Sequence, residues 1–167
     1  METLDTKLDV QSSTREYSIM IHFTLKKNSK VNRDKIYSVS TDVENFPNLM
    51  PKYFKSINIK KSIGNEIFVD EKIHFLGSVL DVKTKHVIIH PRIHEVHILS
   101  GPLQDSSFVE SYDETLDGTN VVIDVLIKFN GVSKLFLPFG FLVKRQMAKV
   151  MDEFLDSAEK LVFDLKE

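Results

Sequence analysis

The last quarter of the chain carries the feature that most limits what it can fold into. Phe139, Leu142, Val143, Met147, Val150, Met151, Phe154, Ala158, Leu161, Val162 and Leu165 recur at i, i+3 and i+4 steps. Lys144, Arg145, Lys149, Asp152, Glu153, Asp156, Glu159 and Lys160 take the opposite side. Pro138 and Gly140 predict a kink or a delayed start near its beginning. One helix of roughly 25 residues spans about 38 Å. A stripe of that length needs a large apolar surface to lie on.

The rest of the chain supplies that surface as strands. Met1 to Glu16 is polar and aperiodic and reads as a flexible tail, leaving residues 17–167 as a single domain. Tyr17, Ile19, Ile21, Phe23 and Leu25 then alternate with more polar residues, the period of a strand with one apolar face. In "KVNRDKIYSVSTD", Asn32 is a good N-cap, and Val31 with Ile36 forms a hydrophobic staple. In "STDVENFPNLMPKYFKSINI", Thr41 or Asp42 is placed to cap a second, very short helix, ended by its own prolines, Pro47 and Pro51. A strand follows from about Tyr53.

Turn signals then recur at Gly64-Asn65, Gly77-Ser78, Pro91-Arg92, Gly101-Pro102, Asp117-Gly118 and Asn130-Gly131. Their spacing is that of an antiparallel meander. The order is strand, two short helices, six strands, long helix. The fold class is α+β, and a seven-stranded antiparallel sheet must curl around the C-terminal helix.

Charge and composition exclude several classes of function. A net charge of -2 is not that of a general nucleic-acid binder. No apolar run is long enough for a transmembrane helix, and the N-terminus lacks the apolar block of a signal peptide. The absence of cysteine suits a reducing cytoplasm, where the chain is expected to reside. Twelve Phe stand against four Tyr and no Trp, and rings without a polar handle line a dry core or a greasy cavity.

"STDVENFPNLMPKYFKSINI" and "HPRIHEVHILSGPLQDSSFVESYDETLDGTNVVIDVLIKF" carry a resemblance to a known group. The first resembles the aspartate, aromatic-proline, proline stretch of the START / Bet v 1-like (SRPBCC, helix-grip) superfamily. The second is similar to its proline-containing hairpin, Gly-Pro turn and Gly-Thr turn. The closest look is to the polyketide cyclase/dehydrase and coenzyme-Q-binding branch, over roughly Tyr17 to Leu165. The resemblance implies a cavity between sheet, short helices and long helix, with ligands such as lipids, isoprenoid quinones and polyketides.

Alternation assigns the concave face of the sheet. It carries Val69, Glu71, Ile73 and Phe75, then Val82, Thr84, His86 and Ile88, then Val96 and Ile98, then Phe108, Glu110 and Tyr112, and finally Val121, Ile123, Val125, Ile127 and Phe129. The expected ligand wall is Phe75, Val82, Ile98, Phe108, Ile123, Val125, Phe129, Phe139, Leu142 and Met147, with Phe46 and Met50 at the mouth. Glu71, His86, Glu110 and Tyr112 are expected to orient a polar head group. Counting strands places His86 and Glu110 ~10 Å apart, too far for a direct hydrogen bond. A bland reading stands beside this one, in which the polar residues sit at the sheet's rim or satisfy one another and water.

Six histidines raise a metal hypothesis, above all in "HPRIHEVH". His94 and His97 point to opposite faces of a strand, and His90 lies across Pro91. No metal or cofactor is therefore expected, and the segment reads as a solvated hairpin. No G-x-S-x-G, P-loop, G-x-G-x-x-G or H-E-x-x-H is present. Leu135 to Val143 carries no charge. Its Phe136 to Phe141 portion is either a lip for transient membrane contact or homodimerisation, or a run buried on both sides.

The reading is a soluble binding or transport protein for a hydrophobic small molecule, lipid, isoprenoid or quinone-like. The rivals are a polyketide cyclase/dehydratase-type enzyme and a protein–protein adaptor with a collapsed pocket.

Overall fold

A computed structural model describes residues 19–130 and 140–164. The alternating pattern is borne out in the first strand, β1 (Ile19–Ser29), where Ile21, Phe23 and Leu25 are buried. Helix α1 (Arg33–Thr41) follows, and the Asn32 side chain accepts a hydrogen bond from the Lys35 backbone N–H. Val31 and Ile36 are both buried, as a staple at that cap requires.

The proline-bracketed stretch differs from its expectation. A 3-10 turn (Val43–Asn45) runs into a single helical turn, α2 (Phe46–Leu49), with Pro47 in its first turn and Pro51 just after its C-cap, Met50. Pro47 thus starts the helix, because its missing N–H is one that a first turn leaves unbonded anyway. Only Pro51 lies beyond its end. Asp42 makes no side-chain capping bond, and the Thr41 hydroxyl donates instead to the Tyr37 carbonyl.

Six strands complete the sheet: β2 (Phe54–Ile63), β3 (Glu66–Phe75), β4 (Ser78–Ile89), β5 (Ile93–Ile98), β6 (Ser107–Thr115) and β7 (Gly118–Phe129). The order across the sheet is β1-β7-β6-β5-β4-β3-β2, and every neighbouring pair is antiparallel. At the β6–β7 turn a glycine is obligatory. A Cβ on Gly118 would sit 2.0 Å from the Ser29 carbonyl oxygen of β1, and its φ is +146°.

Helix α3 (Gly140–Asp164) is 25 residues long and buries Val143, Met147, Met151, Phe154, Leu155, Ala158 and Val162. Glu159 ties it to the end of β1, accepting from the Ser29 hydroxyl at 2.7 Å and the Lys30 backbone N–H at 2.9 Å. The helix and the strands share one core, which includes Phe23, Val125 and Ile127 of the sheet and Val143 and Met147 of the helix. Among the described residues no helix is long and apolar enough to cross a membrane. The tail 1–16 and most of the run 135–143 lie outside the described residues. Within that run Phe141 and Leu142 are exposed.

Candidate functional site

Strands β3 to β6 carry polar residues on the face that looks toward α3, and the register makes them neighbours. His94 stands directly opposite Glu110, and His86 directly opposite Val96, one inward position along from His94. The side chains join in a row. Glu71 Oε1 lies 2.7 Å from His86 Nε2, His86 Nδ1 lies 3.0 Å from His94 Nε2, and His94 Nδ1 lies 3.2 Å from Glu110 Oε2. A hydroxyl closes each end: Thr84 donates to Glu71 Oε1 at 2.6 Å, and Tyr112 donates to Glu110 Oε2 at 2.7 Å. The two imidazoles are stacked, with centroids 5.2 Å apart.

Burial makes this row consequential. Glu71, Thr84, His86, His94 and Tyr112 are all buried. Burial, and after it the negative charge of Glu110, pushes the Tyr112 phenol well above its ordinary value. The phenol therefore serves as a permanent donor.

A cavity of about 160 Å³ lies against the row. Glu71, Thr84, His86, His94 and Glu110 form its polar wall, with Ser40 near them. Its apolar wall comes from Phe46 and Met50 around α2, Phe108 and Ile123 on the sheet, and Met147 and Phe154 on α3. The lining also includes His74 and, among the described residues, no lysine or arginine.

Solved structures of similar shape can now be set beside this geometry. Ara h 8.0201 superposes with a TM-score of 0.66 at 18% identity, covering 87% of this chain and 99% of that one. The Zhui aromatase/cyclase of Streptomyces sp. R1128 does so with 0.68 at 14% identity, over 86% and 96% of the two chains. Norcoclaurine synthase of Thalictrum flavum, a point mutant in complex with a transition-state analogue, gives 0.65 at 16% identity, over 93% and 100%. The fold is the one these structures share, a helix-grip fold. No protein-family model and no curated protein matches the sequence.

Within this helix grip the residues singled out from the sequence fall into five groups. Phe46, Met50, Glu71, Phe75, His86, Ile98, Phe108, Glu110, Ile123 and Met147 line the cavity. Tyr112 does not line it but holds Glu110 from behind. Val82, Val125 and Phe129 are buried in the core away from it; Val82 also borders a shallow hollow with Lys83 and Ser100. Leu142 is corrected: it is exposed, because Val143, one residue on and about 100° around the helix, faces the core. Phe139 lies outside the described residues.

The solvated-hairpin reading of "HPRIHEVH" is overturned for His94, which is buried and bridges His86 to Glu110. Its neighbour His97, on the other face, is half-buried against Glu95. The signal for His94 was available, since it is in phase with Val96 and Ile98. Among the described residues no cluster of histidine and carboxylate side chains is arranged to hold a metal ion.

Proposed function

We propose that this chain is a binding protein for a small hydrophobic molecule, held between the sheet and α3 with its polar end at the Glu71–Glu110 row. The observation that carries the reading is the cavity itself, apolar on the helix side and backed on the sheet side by a continuous hydrogen-bonded row. Burying an apolar ligand there yields ~25 cal/mol per Å² of surface removed from water. The neighbours named as an aromatase/cyclase and a norcoclaurine synthase support small-molecule chemistry in this fold. An adaptor with a collapsed pocket is disfavoured by the volume that remains open.

The volume also bears on ligand size. Ligand sites for drug-sized molecules hold ~300–1,000 Å³. A dry cavity of about 150 Å³ in another protein takes one benzene-sized molecule. At about 160 Å³ the cavity suits one ring with a short substituent better than a quinone with an isoprenoid tail.

A second reading is an enzyme acting by proton transfer, favoured by the alternation of carboxylates and imidazoles along one wall. The two are separated by Glu110→Gln. A carrier loses affinity in this variant, whereas an enzyme keeps most of its affinity and loses turnover. The first experiment is native mass spectrometry of the protein purified from its own cells, followed by organic extraction. A bound apolar mass that disappears in Met147→Phe, which fills the cavity, supports carriage. A clean apo mass, with no thermal shift against one-ring apolar compounds, overturns it.

A further inference from the structure

The row limits its own proton count. Each of its three contacts, Glu71–His86, His86–His94 and His94–Glu110, is at hydrogen-bonding distance and has room for one proton at most. Two protons in the 3.0 Å contact between imidazole nitrogens would collide, and none would set lone pair against lone pair. These contacts therefore hold at most three protons among two carboxylates and two imidazoles. Ionised carboxylates and neutral imidazoles would hold two protons and carry a charge of -2, and a third would bring the row to -1. With the two outer carboxylate oxygens bare, the row stays negative wherever along it the protons sit. The Tyr112 hydroxyl donates to Glu110 and the Thr84 hydroxyl to Glu71, with Thr84 Oγ1 also 3.2 Å from His86 Nε2; neither hydroxyl adds a charge.

Among the described residues no lysine or arginine lines the cavity to balance this charge. The one further imidazole there, His74, is hydrogen-bonded to neither carboxylate. Each glutamate commits a single oxygen to the row. Glu71 Oε2 and Glu110 Oε1 have no hydrogen-bond partner among the described residues. Glu110 is the more accessible of the two, its side chain 15% exposed against 4% for Glu71.

We propose that the cavity selects a one-ring apolar molecule bearing a protonated amine, which meets the free oxygen of Glu110, and rejects the carboxylate of the same shape. The proposal rests on the binding function argued above and adds the chemistry of the head group. An ammonium supplies both the missing counter-charge and donors to an unpartnered acceptor. A carboxylate would put a second negative charge beside the first in a site of low dielectric.

Calorimetric titration of the whole protein at neutral pH with 2-phenylethylamine, 2-phenylethanol and phenylacetate is the test. The amine is expected to bind at least 10-fold more tightly than the alcohol, with phenylacetate weakest. Glu110→Gln is expected to erase the amine's advantage while leaving the alcohol's affinity within about twofold. Should Glu110→Gln fail to fold, Glu71→Gln, which removes the row's charge from its other end, must reduce the same preference. Alcohol binding equal to or tighter than amine binding, or carboxylate binding tightest, overturns the amine proposal and leaves the binding function standing. If none of the three binds, both fall.

Discussion

The inner face of the sheet has two halves built to different rules. On β1 and β7, Phe23, Leu25, Val121, Val125 and Ile127 are buried, apolar and share one core with α3, without a polar atom among their side chains. On β3 to β6, the corresponding positions hold Glu71, Thr84, His86, His94 and Glu110, and the space in front of them is unfilled. The first half is close-packed, and each side chain there has one job. In the second half every polar group must be matched, because an unmatched one in that setting is expensive. The contrast teaches that the sheet grips the helix with one half and leaves open volume in front of the other.

The largest effect that would test this contrast is a truncation on each side. Phe23→Ala is expected to cost about 3–5 kcal/mol, because it opens a void in a packed region. Phe108→Ala, which only enlarges a cavity that already exists, is expected to cost clearly less. Urea unfolding of both variants measures the difference. Equal losses would mean that the β3–β6 half is as tightly packed as the other.

Next in size is the polar row. Replacing His94 by Leu removes the bridge and leaves His86 Nδ1 without its partner, which is expected to cost about 1–3 kcal/mol. A variant as stable as the parent would show that the row contributes no net stability and that the two imidazoles need no bridge.

The fold was legible in the sequence because its determinants are local and periodic. Strand alternation, turn residues, the Asn32 cap and the stripe of α3 each act over a few residues, and together they leave one arrangement. The site was legible only as far as a face. Alternation puts Val125 and Phe129 on the same side as Ile123, yet it cannot say that only Ile123 reaches the open volume, since that depends on the curl of the sheet. His94 was misread for a different reason. Pro91 and the charged residues beside it suggested exposure, while the period-two relation to Val96 and Ile98 argued the reverse. Strand phase outweighs local polarity once a face is closed by a helix. The row itself depends on side chains reaching diagonally between strands, which strand spacing alone does not reveal.

Tyr112 gives a smaller effect with a definite pH dependence. Tyr112→Phe deletes the donor to Glu110 and is expected to cost about 1 kcal/mol near neutrality. Because burial raises this phenol's pKa in the folded state, its contribution is complete below the unfolded value of ~10 and is lost as pH rises through the higher folded value. The parent is therefore expected to lose stability more steeply than Tyr112→Phe in alkaline solution. Urea midpoints measured on either side of that range would show it. Parallel curves would mean that the phenol ionises freely, and that the polar half is wetter than its burial implies.

The smallest effect is expected outside both halves, where Lys52 reaches across from the turn after α2 to Glu153 on α3, 3.0 Å away. The Lys52 hydrogen bond holds the Glu153 carboxyl below the usual range, so its contribution is present above the ordinary carboxylate value and fades as pH falls through the lowered one. Both groups are solvated, and a pair of this kind is weakened by salt and by the entropy of holding two long side chains together. Glu153→Gln should therefore move the urea midpoint less than any variant above, and the shift should shrink further in 1 M salt. A shift as large as that of His94→Leu would mean that the α2 turn is held onto α3 chiefly by charge. The buried contacts of Met50 and Tyr53 with the shared core would then not be what closes this side of the cavity.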